Sequence, residues 1–320
     1  MKLNRVAVLG ASGFVGRYVV RRLAARGVVV AAGCRNAEDA KFLIPMGDVG
    51  QVARLNLSID DEPLLRAFLA GNDGLVNTVG ILQERGAQRF ELLHHTGPAR
   101  LARLAREAGI GRFVHISALA ADVRSASAYA RSKAAGEQAV RDAFPTATIL
   151  RPSIVFGPED QFFNRFASMA MLLPGLPLIG GGETLFQPVY VGDVADAVVK
   201  CLENPSNAGR TYELGGPKVY TFRALLELLL AEIQRKRALI DMPFGLATFS
   251  ARAMSVLPNP PLTPDQVELL KRDDVVSSGA LTLSSLDVAP TAVEAILPSY
   301  LDRFRRGGWY ERRPPIHLDR

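Results

Sequence analysis

The sequence predicts an α/β protein, a doubly wound parallel sheet followed by a smaller C-terminal lobe on the substrate side. Three observations lead there. Short apolar runs alternate with helical runs through the first half of the chain, the pattern of parallel strands joined by crossover helices. The first such run, Val6 to Val8, leads straight into Gly10-Ala11-Ser12-Gly13-Phe14-Val15-Gly16, a glycine turn that opens a helix. From Phe156 to Gln187 the rhythm breaks, and prolines and glycines cluster up to Gly180-Gly181-Gly182.

Strands are expected at Val6–Leu9, Val28–Ala32, Val52–Leu57, Leu75–Thr78, Phe113–Ile116 and Thr148–Leu150. The first helix carries Val15, Val19, Val20 and Leu23 on one side and Arg17, Arg21 and Arg22 elsewhere, which is helical spacing. Asp60 and Asp61 precede Pro63 as an N-cap, with Leu64, Leu65 and Phe68 expected on the buried face. Further helical runs are Phe90–Ala108 and Tyr129–Phe144. Right-handed crossovers then place helices on both faces of the sheet. Beyond the break come a helix at Val191–Leu202, a turn at Asn204-Pro205, a strand near Thr211–Leu214 and an apolar helix at Phe222–Ile233. The expected division is a nucleotide-binding domain at 1–155 to which 186–203 returns, and a smaller lobe from 156–185 and 204–320.

Bulk properties narrow the class. The 320 residues suffice for one large or two ordinary domains, and 48% apolar with 22% charged content is that of a globular protein. Two cysteines, Cys34 and Cys201, make no disulfide framework, so a reducing compartment is expected. His94, His95, His115 and His317 show no metal-ligand spacing, so no metal site is expected and a structural or solvated role is assigned to them. The most apolar run, Met169 to Gly180, is broken by Pro174 and Pro177 and is too short to span a bilayer. A net charge of +6 suits an anionic cofactor, an acidic partner or anionic lipid headgroups, while no nucleic-acid module is present.

The chemistry-bearing residues group in three places. The glycine turn makes a phosphate cradle: Gly10 and Gly13 let the backbone turn and approach a diphosphate, and the N–H groups around Ser12, Phe14, Val15 and Gly16 point at it from a helix start. After the second strand stands Cys34-Arg35-Asn36, with no acidic residue to hold a ribose 2′-hydroxyl. Arg35 is suited instead to a 2′-phosphate, so NADPH or NADP is expected before NAD. Asn56 and Leu57 lie at the end of the third strand on the adenine side, and Val79-Gly80 after the fourth passes under the adenine ribose. Ser117 closes the fifth strand, and Tyr129 and Lys133, four residues apart, share one face of the next helix. A lysine ammonium beside a phenol favours phenolate and makes it a usable acid–base group, while the serine hydroxyl orients a carbonyl.

Gly10, Gly13 and Gly16 with Ser117, Tyr129 and Lys133 resemble the extended short-chain dehydrogenase/reductase superfamily, over nearly the whole chain. Arg151-Pro152-Ser153 and Gln187-Pro188-Val189-Tyr190-Val191-Gly192-Asp193-Val194 match stretches of extended members. The resemblance implies a Rossmann domain, with the first of these stretches, Arg151-Pro152-Ser153, beside the nicotinamide, the second joining the two lobes, and Pro152 and Ile154 among the cofactor-binding residues. In place of the usual Asn-Asn-Ala-Gly stands Asn77-Thr78-Val79-Gly80. A closer set of segments is similar to the nucleotide-binding accessory subunit family of respiratory complex I. They are Pro45-Met46-Gly47-Asp48-Val49-Gly50-Gln51, Asp142-Ala143-Phe144-Pro145, Phe156-Gly157-Pro158-Glu159-Asp160 and Phe166-Ala167-Ser168-Met169. That resemblance implies a tightly held NADPH, complex I subunits as partners, a place near the membrane arm and no turnover of its own. The opening Met-Lys-Leu-Asn-Arg shows no transit-peptide pattern, so the setting expected is the cytoplasmic face of a bacterial inner membrane, with a free cytoplasmic protein as the alternative.

Three function classes stay open on the residues. One is a non-catalytic NADPH-holding subunit. A second is an NADP-dependent reductase or epimerase on a nucleotide-sugar, steroid-like or quinone substrate. The third is a dinucleotide sensor. The stretch from Met242 to Leu257 carries one charge, Arg252, and reads as core of the smaller lobe or as a docking surface anchored by Phe244 and Phe249.

Overall fold

The computed structural model describes residues 3–255, 260 and 262–307, which fall into two compact units. The first comprises the chain up to Ser153 together with Val191–Gly215 and Val276–Pro290. The second comprises Ile154–Tyr190, Gly216–Val275 and the chain from Thr291.

The first unit holds seven parallel strands. In chain order it runs β1 (Arg5–Leu9), α1 (Phe14–Ala24), β2 (Val29–Cys34), β3 (Val52–Asn56), α2 (Glu62–Leu69), β4 (Gly74–Asn77), α3 (Gly97–Glu107), β5 (Arg112–Ile116), α4 (Ala128–Ala143) and β6 (Thr148–Pro152). The helix Val191–Glu203, here α5, and the strand Thr211–Leu214, here β7, complete it. The strand order is β7-β6-β5-β4-β1-β2-β3, with Val6 opposite Val30 on one side and Ala7 opposite Leu75 on the other. Val6, Ala7 and Val8 are wholly buried, which is why β1 reads as an unbroken apolar run: helices cover both faces of a parallel sheet.

The cap read before Pro63 is Asp61, which accepts from the Leu64 N–H at 3.0 Å. The structure adds a second, Ser127, which caps α4 by accepting from the Ala130 N–H at 3.2 Å. Leu64 itself, expected on the buried face, is 48% exposed. The packing stripe is Leu65, Phe68 and Leu69, so its neighbour at 64 points away from the sheet. The helical run expected from Phe90 to Ala108 is interrupted by a π-helical turn at Glu91–Thr96 before α3. Pro98 supplies the reason. It lacks the N–H that an α-helix would give to the His94 carbonyl, so the turn widens to the next register.

The domain boundaries differ from the expected ones. The segment 204–320 was assigned wholly to the smaller lobe, yet β7 pairs with β6, Thr211 opposite Ile149, and residues 276–290 return with it. Glu213 ties that return segment down: its N–H donates to the Leu281 carbonyl at 2.8 Å, and its carboxylate accepts from the Ser277 N–H at 2.7 Å. α5 does return to the sheet, where Asp196 holds Arg22 of α1 through two bonds of 2.9 and 3.1 Å.

The second unit is built round a ring cluster of Phe162, Phe163, Phe166, Phe186 and Phe222, with centroids 5.1–6.4 Å apart. The helix Phe222–Glu232 packs Leu225, Leu226 and Leu229 into it. Asp160 accepts from the Tyr300 hydroxyl at 2.5 Å and from the N–H groups of Gly157 and Asn164. In the helix Phe244–Met254 the two expected anchors part company. Phe244 packs on Gly180 while Phe249 is 71% exposed; Leu257 lies outside the described residues.

Candidate functional site

The order of the strands reverses between β1 and β4, and the residues singled out above gather at the carboxyl ends of the strands beside that point. Gly10 adopts φ 83°, and the N–H groups of Gly10 and Ala11 both donate to the Gly33 carbonyl, at 3.0 and 3.2 Å, which ties the turn to β2. A Cβ on Gly16 would stand 2.2 Å from the Gly10 carbonyl oxygen. One glycine is therefore required by the backbone and the other by the closeness of helix and turn. Gly13 is the N-cap of α1 and offers no side chain to the first-turn N–H groups, those of Phe14 and Val15 among them. Arg17 braces the turn from the helix, donating to the Ser12 and Gly13 carbonyls at 3.1 and 3.3 Å. The result is a row of N–H groups at a helix start, able to take a diphosphate.

Arg35 follows the end of β2, exposed, and makes no hydrogen bond or ion pair among the described residues. Asn56 is partly committed: its Oδ1 accepts from the Ala37 N–H at 2.6 Å and so shapes the loop that carries Arg35. Leu57 is buried beneath it. Beyond β4 the Val79 N–H donates to Asn77 Oδ1 at 3.1 Å. Gly80 is exposed, and nothing in the protein requires a glycine there. Its φ is not positive, and a Cβ would meet only His94 Nε2 at 3.7 Å and Lys133 Nζ at 3.9 Å.

Ser117 follows β5, and Tyr129 and Lys133 both stand on α4. Lys133 is buried and its ammonium donates to the Ile116 carbonyl at 2.9 Å, next to Ser117. One of its three N–H bonds is thus used. Burial pushes the Lys133 pKa down to about 8, a drop opposed by the Glu137 carboxylate, so the group is a cation at neutral pH and releases its proton readily. The Ser117 hydroxyl is buried with no hydrogen-bond partner. A buried hydroxyl left unpaired costs about 1–3 kcal/mol, which makes it a place prepared for a polar atom from outside the chain. Tyr129 is half-buried, its ring edge-on to Phe90 at 6.0 Å and to His94 at 5.5 Å.

Two further members of the expected set are Pro152 and Ile154. Pro152 ends β6, but the Arg151 beside it is turned to Glu137, which it grips through two bonds of 2.8 and 2.7 Å. Ile154 opens the second unit, where its N–H donates to Asp274 at 3.1 Å.

His94 and Ser132 are what sequence reasoning missed. His94 was assigned a structural or solvated role; it is buried among the site residues, bonded to Ile81 and Ser132. The signal was Pro98, four residues on, which breaks α-helical register at His94. Burial, helped by the Lys133 charge, holds the His94 pKa down to about 3, and His115, bonded to Asn77 at 3.1 Å, is likewise held well below its ordinary value. Between pH about 6.5 and about 3 the unfolded chain takes up a proton at His94 that the folded chain refuses, so stability is lost as the pH is lowered across that window, by up to about 1.4 kcal/mol per pH unit from this imidazole; His115 acts in the same direction. Urea midpoints measured at pH 7 and pH 5 should show a smaller drop for His94→Gln than for the wild type; equal drops would contradict the assignment.

The site sits within the part of the chain that matches a family. Residues 6–215 match the NAD dependent epimerase/dehydratase family. The chain is 38% identical over 313 residues to NADH dehydrogenase (ubiquinone) 1 alpha subcomplex subunit 9, mitochondrial, of Arabidopsis thaliana, covering 94% of this chain and 78% of that one. It is 30% identical over 318 residues to the NADH-ubiquinone oxidoreductase 40 kDa subunit, mitochondrial, of Neurospora crassa, covering 99% and 84%. A dTDP-glucose 4,6-dehydratase from Streptomyces venezuelae, solved with NAD and TYD bound, shares the fold: TM-score 0.71 at 21% identity, over 94% of this chain and 96% of that one. Among the described residues no helix is long and apolar enough to cross a membrane. With two thirds of its length inside one family match and nearly all of it aligned to respiratory subunits, this chain belongs to the NAD dependent epimerase/dehydratase family and, within it, to the family of the alpha subcomplex subunit 9 of NADH dehydrogenase (ubiquinone).

Proposed function

We propose that the protein is an NADPH-holding accessory subunit of membrane-bound respiratory complex I, structural or regulatory rather than catalytic, docked peripherally on the other subunits. The assembly part of this reading is supported by the names and near full-length alignment of the relatives above. The observation that carries the cofactor part is the buried, unpaired hydroxyl of Ser117, next to the Ile116 carbonyl that Lys133 holds. The residues fit a dinucleotide. Gly10 through Gly16 would take the diphosphate, with Ser12, Phe14 and Val15 supplying N–H groups. Asn56, Leu57, Val79 and Gly80 would border the adenosine, and Tyr129 and Lys133 the nicotinamide ribose. When bound, the cofactor supplies hydride chemistry; the chain's own residues bind and orient it.

Arg35 supports NADP over NAD, since a guanidinium with no partner among the described residues is suited to a 2′-phosphate. Arg35→Ala should weaken NADPH about tenfold to a hundredfold, the range of one or two charge-assisted bonds, and leave NADH unchanged. Titration calorimetry with both coenzymes decides it, and equal losses would remove Arg35 from that role. Retained NADPH would stabilise the fold by mass action, about 4 kcal/mol at a thousandfold excess over Kd.

The whole reading is tested by capturing the protein from detergent-solubilised membranes and identifying its companions and any nucleotide it keeps. Complex I subunits and NADPH are the result expected. Recovery only as a free protein, with the complex assembled without it, overturns the assembly part. A second reading, an active NADP-dependent reductase or epimerase, is favoured by the intact grouping of Ser117, Tyr129 and Lys133 and by the lowered Lys133 pKa. It requires NADPH consumption that disappears in Tyr129→Phe.

A further inference from the structure

Three elements of the first unit meet at His94. Its side chain is 1% exposed and stacks on Phe90, centroids 5.2 Å apart and planes 22° from parallel. Nε2 accepts from the Ile81 N–H at 3.0 Å, in the loop that follows β4. That bond puts the ring proton on Nδ1, which donates to Ser132 Oγ at 2.8 Å. The Ser132 hydroxyl in turn donates to the Tyr129 carbonyl at 2.8 Å, on α4. The His94 carbonyl, released by Pro98, lies against Gly136, so close that a Cβ there would be 1.7 Å away.

One imidazole is therefore bonded to the loop after β4 through one nitrogen and to α4 through the other, with its face on Phe90 and its ring against the Tyr129 edge. A residue that only filled space would need neither bond. Gly80 lies in that loop, and a Cβ built on it would have His94 Nε2 at 3.7 Å and Lys133 Nζ, from α4, at 3.9 Å.

We propose that His94, as the neutral Nδ1-protonated imidazole, is a positioning residue: it ties the Gly80–Ile81 backbone to α4 and thereby sets Tyr129 and Lys133 for the nicotinamide-ribose end of a bound dinucleotide. This rests on the dinucleotide reading above. It makes a prediction that a general role in folding does not, because only one end of the cofactor depends on the joint. Of the residues that would border the adenosine, Arg35, Asn56, Leu57 and the glycine turn share no hydrogen bond or ring contact with His94, and only the Val79–Gly80 backbone leads to it.

The test uses the full chain and two ligands, NADPH and 2′,5′-ADP, which keeps the adenosine with its 2′- and 5′-phosphates and lacks the nicotinamide mononucleotide half. His94→Leu removes both ring bonds at similar volume. It should weaken NADPH about tenfold to a hundredfold while 2′,5′-ADP stays within about twofold. His94→Gln keeps an acceptor and a donor and should recover NADPH to within about threefold of wild type. Ser132→Ala breaks only the link to α4 and should weaken NADPH about fivefold, again without effect on the fragment. Equal weakening of both ligands in His94→Leu, or wild-type binding in His94→Leu and Ser132→Ala, overturns the positioning role. Should His94→Leu fail to fold, Ser132→Ala carries the decision alone: wild-type NADPH affinity there overturns the proposal. Wild-type protein that binds neither ligand overturns the dinucleotide reading itself, and this inference with it.

Discussion

Gly136→Ala is expected to lower stability by about 3 kcal/mol, against the ordinary preference of a helix for alanine over glycine. Alanine within a helix is normally better by about 0.5–1 kcal/mol. Here the new methyl would stand 1.7 Å from the His94 carbonyl oxygen, a backbone atom that cannot swing aside. Overpacking of this kind costs about 1–3 kcal/mol, more where the backbone cannot give. Neither side is free to give. The next residue, Glu137, is held in a buried ion pair with Arg151, and the π-helical turn across from it is held by the His94 ring bonds. Urea denaturation of the variant gives the answer, and a midpoint equal to or above that of the wild type would show that α4 is not seated as described. The NADPH affinity should fall with it, since the same contact sets the distance between α4 and the loop carrying Gly80.

The second large effect is expected at Arg151. The Glu137 side chain is 1% exposed and its carboxylate is bonded by Arg151 through two bonds and by Arg141 through one of 3.2 Å. Arg151→Leu removes the two stronger bonds and leaves a carboxylate in the interior with one half-exposed partner. Breaking a buried pair from one side costs about 3–5 kcal/mol, and the bond to Arg141 places the expectation at the lower end. The double variant Arg151→Leu with Glu137→Leu should regain part of that loss, because the Glu137 carboxylate is no longer stranded while the ion pair of Arg151 with Glu213, at 3.7 Å, stays lost. A double variant no more stable than Arg151→Leu alone would mean that the charge itself is not the cause.

These two sites show where sequence reading stops. Arg151 was singled out as part of a stretch beside a nicotinamide, and the fold spends it on α4 instead. Nothing in the order of residues says that Glu137, one turn after Lys133, faces the end of β6, since that pairing depends on how α4 lies across the sheet. His94 was assigned a bland role because a histidine beside a second histidine carries no spacing signal. Only the packing of Gly136 and the reach of Ile81 and Ser132 give it partners. The return of β7 and of residues 276–290 to the first unit was likewise out of reach, because short strands at a sheet edge carry too little pattern to name their neighbour.

What the order of residues determined by itself is local. A glycine that must take a positive φ, at Gly10, a helix start with no capping side chain, at Gly13, and the caps Asp61 and Ser127 all act within a few residues, so their physics is written in the chain. The same holds for the alternation of strand and helix, because the period of apolar residues is a property of each segment. Tertiary structure alone decided which polar groups are spent and which are left over. Arg151 is consumed, Asn56 half consumed, and Lys133 holds one carbonyl; among the described residues the Ser117 hydroxyl and the Arg35 guanidinium are left without a partner. The reason is that a hydrogen bond is satisfied by whatever group the fold brings within about 3 Å, and that distance is set by how helices lie on a sheet.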